Sequence, residues 1–167
     1  MTTALVIGAN GGIAQALVKQ LCEGNEYSKV VTVSRTACSA PYQKQVHIEL
    51  DAGQDAQVEG FVANMKAASE KFSLVVCCTG TLHGAVGADG SDKLKPEKRL
   101  EDIQSEHLAE YFRVNSILPA LWLKRLPKIL EKTAKLVFFS ARVGSISENQ
   151  LGGWYGYRAS KAALNML

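Results

Sequence analysis

The sequence lacks the features that mark several large classes of protein. Charge of one sign is not in excess: 19 lysines and arginines stand against 16 aspartates and glutamates, scattered along 167 residues, for a net charge of +3. A nucleic-acid binder needs a clustered basic footprint, so this balance argues against a nucleic-acid partner. No apolar run approaches the ~20 residues that cross a bilayer, which argues against a membrane span. The start, Met1-Thr2-Thr3, carries neither the basic stretch nor the small-residue cleavage site of a secretory leader. The four cysteines, Cys22, Cys38, Cys77 and Cys78, show no CxxC spacing, so reduced thiols are expected and no metal site. These absences predict a cytoplasmic protein. Internal repeats are missing too, and no break in composition marks a second domain.

What is present is an ordinary globular balance, 47% apolar and 21% charged, over a length that fits one domain spanning residues 1–167. Leu5-Val6-Ile7 and Val30-Val31-Thr32-Val33 read as buried strands, His47-Ile48-Glu49-Leu50 as a third and Ser73 to Cys78 as a fourth. Ile13, Ala16, Leu17 and Leu21 recur at helical spacing, as do Val58, Phe61, Val62 and Met65. The Gly-, Asp- and Lys-rich stretch from Thr81 to Arg99 reads as a loop. A long helical region is expected from about Leu100 to Glu131, punctuated by Pro119 and Pro127. Leu136 to Phe139 is the fifth strand, Ser140 to Trp154 a loop, and Tyr155 or Gly156 opens a last helix. The order β-α-β-β-α-β-α-β-α predicts an α/β fold, a Rossmann-like doubly wound parallel sheet covered on both faces. The final Lys161 to Leu167 is helix-forming, with no Gly cap or Pro stop, and suggests an interrupted helix.

Gly8-Ala9-Asn10-Gly11-Gly12-Ile13-Ala14 falls between the first strand and the first helix. There Gly8 permits a tight turn and Gly12 a close backbone approach, while the helix N-terminus offers N–H donors and a favourable dipole to a pyrophosphate. The second strand runs into Ser34-Arg35. An acid at that point would bind an unmodified ribose; an arginine instead suits a 2′-phosphate, so NADP(H) is the expected cofactor unless Arg35 is a plain solvated side chain. Near the end, Tyr157-Arg158-Ala159-Ser160-Lys161 is YxxxK at the start of a helix, which puts both side chains on one face. A free phenol titrates near ~10, and a neighbouring ammonium would bring it down toward acid–base work on an alkoxide.

GxxxGxA after the first strand and YxxxK at this distance resemble the short-chain dehydrogenase/reductase family. The stretch from Arg142 to Ser147 and that from Gly152 to Asn165 look especially like its C-factor and sniffer-type carbonyl reductase branch. The resemblance covers the whole chain and implies carbonyl–alcohol interconversion on a small-molecule substrate, by a homo-oligomer. It implies cofactor contacts from Gly8, Asn10, Gly11, Gly12, Ile13, Ser34, Arg35, Asp51 and Gly80, with Lys161 also holding the nicotinamide ribose beside Tyr157. Asp51 matches an acid near the adenine, although a capping residue would look the same. Asn115 matches the asparagine of a water-mediated relay, or else a polar residue that bends a helix.

Two departures stand out. The family's catalytic serine aligns with Ala141, whose methyl cannot donate; Ser140 is the candidate substitute and Ser145 the alternative, with a non-catalytic dinucleotide-binding or signalling protein as the other outcome. Cys77-Cys78-Thr79-Gly80 replaces Asn-Asn-Ala-Gly. Family members also continue into further strands and a substrate loop, so this chain is expected to be C-terminally truncated.

Overall fold

The computed structural model describes residues 2–38, 41–86 and 92–167. In chain order its elements are β1 (Thr3–Ile7), α1 (Gly12–Glu23), β2 (Lys29–Ser34), β3 (Gln45–Glu49), α2 (Asp55–Ala67), β4 (Phe72–Cys77), β5 (Gly84–Val86) and β6 (Asp92–Leu94). There follow α3 (Ser105–Phe112), a π-helical turn (Arg113–Ile117), α4 (Leu118–Arg125), a 3-10 turn (Leu126–Ile129), β7 (Leu130–Phe138) and α5 (Tyr155–Met166). They group into two compact units: Met1–Thr79 with Leu121–Phe138, and Gly80–Ala120 with Phe139–Leu167.

The first unit holds a five-stranded sheet in the order β3-β2-β1-β4-β7, with every pairing parallel. All five residues of β1 are buried, as an interior parallel strand sandwiched between helices requires. Strand order grows in one direction from β1 through β2 to β3 and in the other through β4 to β7. Right-handed crossovers therefore put α1 and α2 on opposite faces. The point of reversal, at the carboxyl ends of β1 and β4, is where open sheets of this kind receive ligands.

α1 buries Ala14, Val18 and Cys22 against Ala4, Val6 and Val30, with Leu17 and Leu21 alongside. This corrects the expected face: the stripe is turned so that Ala16 is exposed and Ile13 is 67% exposed. On α2 the buried residues are Val58, Phe61 and Val62, and the Phe61 ring meets fully buried Trp122 edge-on at 5.9 Å. All four cysteines are unbridged, Cys22 and Cys77 buried and Cys38 and Cys78 partly so.

Two boundaries differ from the sequence reading. The helical region stops at Arg125, and residues 130–135, read as helix end and connection, already belong to β7. Pro127, in the 3-10 turn, cannot supply the N–H that a continuing helix needs. A register shift between Phe72 and Leu74 of β4 then absorbs the extra residues of β7. Strand propensity in Leu130–Lys135 is weak, and pairing with β4 overrides it.

In the second unit, the stretch expected as loop contains an antiparallel pair, β5 with β6, in which Gly84 faces Leu94. The expected loop residues 87–91 lie outside the described residues. α3 and the π-helical turn follow one another without a gap and run on into α4, whose second residue is Pro119 and whose residues from Leu121 belong to the first unit. α5 is entered through two left-handed residues, Gly153 (φ +73°) and Trp154 (φ +53°). A side chain on Gly153 would put its Cβ 2.9 Å from the Glu97 carbonyl oxygen, so glycine is needed there.

Candidate active site

The glycine-rich turn lies in the first unit. Gly8 has φ +79°, and a Cβ there would sit 3.0 Å from Thr79 Cγ2 and 3.1 Å from its nitrogen, so the turn between β1 and α1 demands glycine. Gly8 and Ala9 donate their N–H groups to the Val33 carbonyl at 2.8 and 3.0 Å, tying the turn to the end of β2. A Cβ on Gly12 would meet nothing within 4 Å. The start of α1 has no side-chain cap and no acid in its first turn. Uncapped N–H donors carrying the helix's partial positive charge, beside open space, fit a pyrophosphate.

Around the end of β2, Ser34 is buried and its Oγ donates to the Thr36 carbonyl at 2.8 Å. Arg35 is exposed, and among the described residues no hydrogen bond or ion pair holds it. Asn10 of the glycine-rich turn donates to Thr36 Oγ1 at 2.5 Å, joining the two segments. Asp51 accepts the Gly53 N–H at 2.9 Å, the local capping contact that was its alternative reading. Arg35 thus stands as an exposed cation on the segment that follows β2.

The second unit gathers Gly80, Asn115, Ser140, Tyr157 and Lys161. The Lys161 ammonium is buried, donates to the Phe139 carbonyl at 2.8 Å and lies 5.8 Å from the centroid of the Tyr157 ring. A Cβ on Gly80 would lie 3.4 Å from that Nζ and 3.5 Å from Asn115 Oδ1, in ordinary contact with both. Tyr157 packs edge-on against Tyr111 and Trp154, each at 6.1 Å. Among the described residues its hydroxyl has no hydrogen-bond partner. Burial pushes the Tyr157 phenol up from its ordinary value, the opposite of the expected lowering. The cause is desolvation of the phenolate by burial.

Asn115 is fully buried in the π-helical turn. Its Oδ1 accepts the Thr81 N–H at 2.8 Å, and its Nδ2 donates to the Thr81 carbonyl at 3.0 Å and to Ser160 Oγ at 3.1 Å. The side chain is thus spent on bracing the segment after β4 and the middle of α5. Its main-chain carbonyl has Pro119 at the position of its α-helical partner, and proline has no N–H to give.

Ser140 donates to the Lys161 carbonyl at 3.4 Å, so its hydroxyl addresses the backbone of α5. Ser145 contacts Ser147 Oγ at 3.3 Å and accepts the Glu148 N–H at 3.3 Å. Both serines are engaged locally, and Ala141 leads into a short 3-10 turn at Arg142–Gly144. An open cleft of about 500 Å³ lined by Gly144, Leu151, Arg158 and Ala162 lies on another side of α5 and includes neither Tyr157 nor Lys161.

Sequence reasoning missed Thr81, Ser160 and Glu97. Ser160 donates to the Tyr157 carbonyl at 2.8 Å while Ser116 Oγ donates to the Ser160 carbonyl at 2.7 Å; the small polar residue inside YxxxK was the available signal. Glu97 is 2% exposed, and both carboxylate oxygens accept the Gly156 N–H at 3.3 Å. Nothing in its loop context announces a buried acid.

An open parallel sheet with a glycine turn at its switch point, and a helix presenting a tyrosine beside a buried lysine, define a nucleotide-dependent oxidoreductase architecture. The chain belongs to the short chain dehydrogenase family, whose pattern it matches over residues 2–167. It is similar to 1-hydroxy-2-glutathionyl-2-methyl-3-butene dehydrogenase of Rhodococcus sp. (strain AD45), 27% identical over 168 residues, covering all of this chain and 68% of that relative. Its fold is also that of a carbonyl reductase from Pseudomonas aeruginosa PAO1 in complex with NADP, with a TM-score of 0.79 at 19% identity over 99% of this chain and 73% of the other. A protein assigned as the carbonyl reductase Sniffer of Caenorhabditis elegans gives a TM-score of 0.80 at 24% identity, over 98% of this chain and 75% of that one.

Proposed function

We propose that the chain is an NADP(H)-dependent oxidoreductase that interconverts a carbonyl and an alcohol by hydride transfer, with Tyr157 and Lys161 as its acid–base pair. The observation that carries this reading is the buried Lys161 ammonium, held by the Phe139 carbonyl 5.8 Å from the Tyr157 ring in a member of this family. A reduced nicotinamide supplies hydride to a carbonyl carbon when bound. Tyr157, a phenol protonated at neutral pH and pushed further up by burial, gives its proton to the alkoxide that results. In the reverse direction Lys161 supports the phenolate by its charge and holds the nicotinamide ribose. Gly8 to Ile13 take the pyrophosphate at the start of α1; Ser34 and Arg35 take the 2′-phosphate, with Asp51 near the adenine. The NADP complex of the Pseudomonas aeruginosa relative supports that cofactor. The same reading makes the substrate a small carbonyl or alcohol compound and the protein a cytoplasmic homo-oligomer.

Ala141 favours a second reading, a dinucleotide-binding or signalling protein without turnover, because Ser140 and Ser145 are both turned to local partners. Titration of NADPH fluorescence, followed by turnover with a panel of aldehydes and ketones, separates the two. Under the first reading Tyr157→Phe abolishes turnover and leaves NADPH affinity nearly unchanged. Turnover that survives this substitution defeats the assignment.

A further inference from the structure

β2 and β3 pair in parallel with Thr32 opposite His47 and Val30 opposite Gln45, so Thr32, Ser34, Gln45 and His47 share one face of the sheet edge. On that face His47 Nε2 lies 3.0 Å from the Thr36 carbonyl oxygen. A carbonyl only accepts, so Nε2 carries a hydrogen. In the neutral ring Nδ1 is then the acceptor, and it lies 2.9 Å from Thr32 Oγ1, which in turn accepts from Gln45 Nε2 at 2.9 Å. Ser34 Oγ sits 3.3 Å from the same Nε2 and itself donates to the Thr36 carbonyl at 2.8 Å. Asn10 Nδ2 adds a third donor to that carbonyl at 3.2 Å.

One carbonyl oxygen thus receives His47, Ser34 and Asn10, more donors than it has lone pairs. Its direction is fixed inward, toward the β2–β3 face. In a planar trans peptide the following N–H, that of Ala37, must point the opposite way. Arg35 and Ala37 stand on this locked segment, both exposed.

We propose that His47 is a positioning residue that sets selectivity for a 2′-phosphorylated nucleotide, by locking the Thr36 carbonyl and so presenting Arg35 and the Ala37 N–H as a preformed phosphate seat. The proposal rests on the NADP(H) reading given above. A segment held by three donors loses little freedom on binding, and a charge-assisted contact to a dianion gains most from that order. The contribution falls on the 2′-phosphate alone, since nothing in this network faces the start of α1 except through Asn10.

Calorimetric titration of the whole chain with 2′,5′-ADP and with 5′-AMP tests it. His47→Asn keeps an amide where Nδ1 meets Thr32 but has nothing at the Nε2 position; His47→Gln places an N–H there. The wild type is expected to prefer 2′,5′-ADP. His47→Asn should weaken 2′,5′-ADP about tenfold while changing 5′-AMP less than about twofold, and His47→Gln should restore the preference. Equal weakening of both ligands, or no weakening, overturns the positioning role while leaving the cofactor reading intact. A wild type that binds neither ligand, or binds both equally, overturns the cofactor reading and the role of His47 with it.

Discussion

Asn115 grips Thr81 as a neighbouring strand would, taking its N–H at 2.8 Å and giving to its carbonyl at 3.0 Å. One side chain thereby replaces the pairing that the chain loses after β4, and its third bond, to Ser160, reaches the helix that carries Tyr157 and Lys161. Asn115→Ala leaves the Thr81 N–H and carbonyl without this partner in a partly buried place, while Ser160 keeps its bond to the Tyr157 carbonyl. Each buried unsatisfied group costs about 1–3 kcal/mol, so a loss of about 2–4 kcal/mol is expected in urea denaturation, with turnover falling as well. A loss below about 1 kcal/mol would show that the clamp is not a structural element.

Gly144 stands against Lys161 so closely that a Cβ would lie 2.8 Å from Lys161 Cβ and 2.9 Å from its carbonyl carbon. These are near-backbone atoms that cannot swing aside. Gly144→Ala is therefore expected to push α5 at Lys161, costing about 1–3 kcal/mol in stability and lowering kcat more than NADPH affinity. Wild-type kcat in a folded Gly144→Ala protein would contradict the placement of Lys161 described here.

Ala141 offers a gain-of-function test. Removing one donor to a developing oxyanion costs about 10²–10³ in rate, and a restored hydroxyl recovers part of that. Ala141→Ser should raise kcat on an aldehyde substrate by about tenfold or more. An unchanged kcat means that another group donates, or that the site does no chemistry.

Tyr111 links the site to alkaline stability. Its phenol is pushed up to about 12, first by burial and then by the nearby Glu97 and Tyr157, against about 10 in an unfolded chain. Between these values the unfolded state has released its proton and the folded state has not, so stability falls as pH rises. The contribution is fully present below pH ~10 and is lost as pH climbs through ~12. Urea midpoints measured across that window should drop for the wild type and drop less for Tyr111→Phe, which starts lower because the bond to the Leu82 carbonyl is gone.

Strand and helix order was legible from apolar runs and periodicity because it depends on near neighbours. Val30 to Val33 and Leu74 to Val76 are β-branched or leucine runs of the kind that suits a buried parallel strand. The glycine turn was legible for the same reason, since Gly8 marks a local backbone need. Failures came where distant residues decide. Leu130 to Lys135 became strand only through β4, and the face of α1 was set by which side meets β1 and β2.

The sequence by itself determined the alternation of elements, the glycine-rich start of α1 and the tyrosine–lysine spacing, since each is a matter of chain positions a few residues apart. Only the tertiary structure decided which groups those residues touch. It spent Asn115 on Thr81, buried Glu97 at the start of α5, turned Ser140 to the backbone and raised the Tyr157 phenol by desolvation. Hydrogen-bond partners and burial depend on contacts between residues tens of positions apart, which spacing along a chain does not encode.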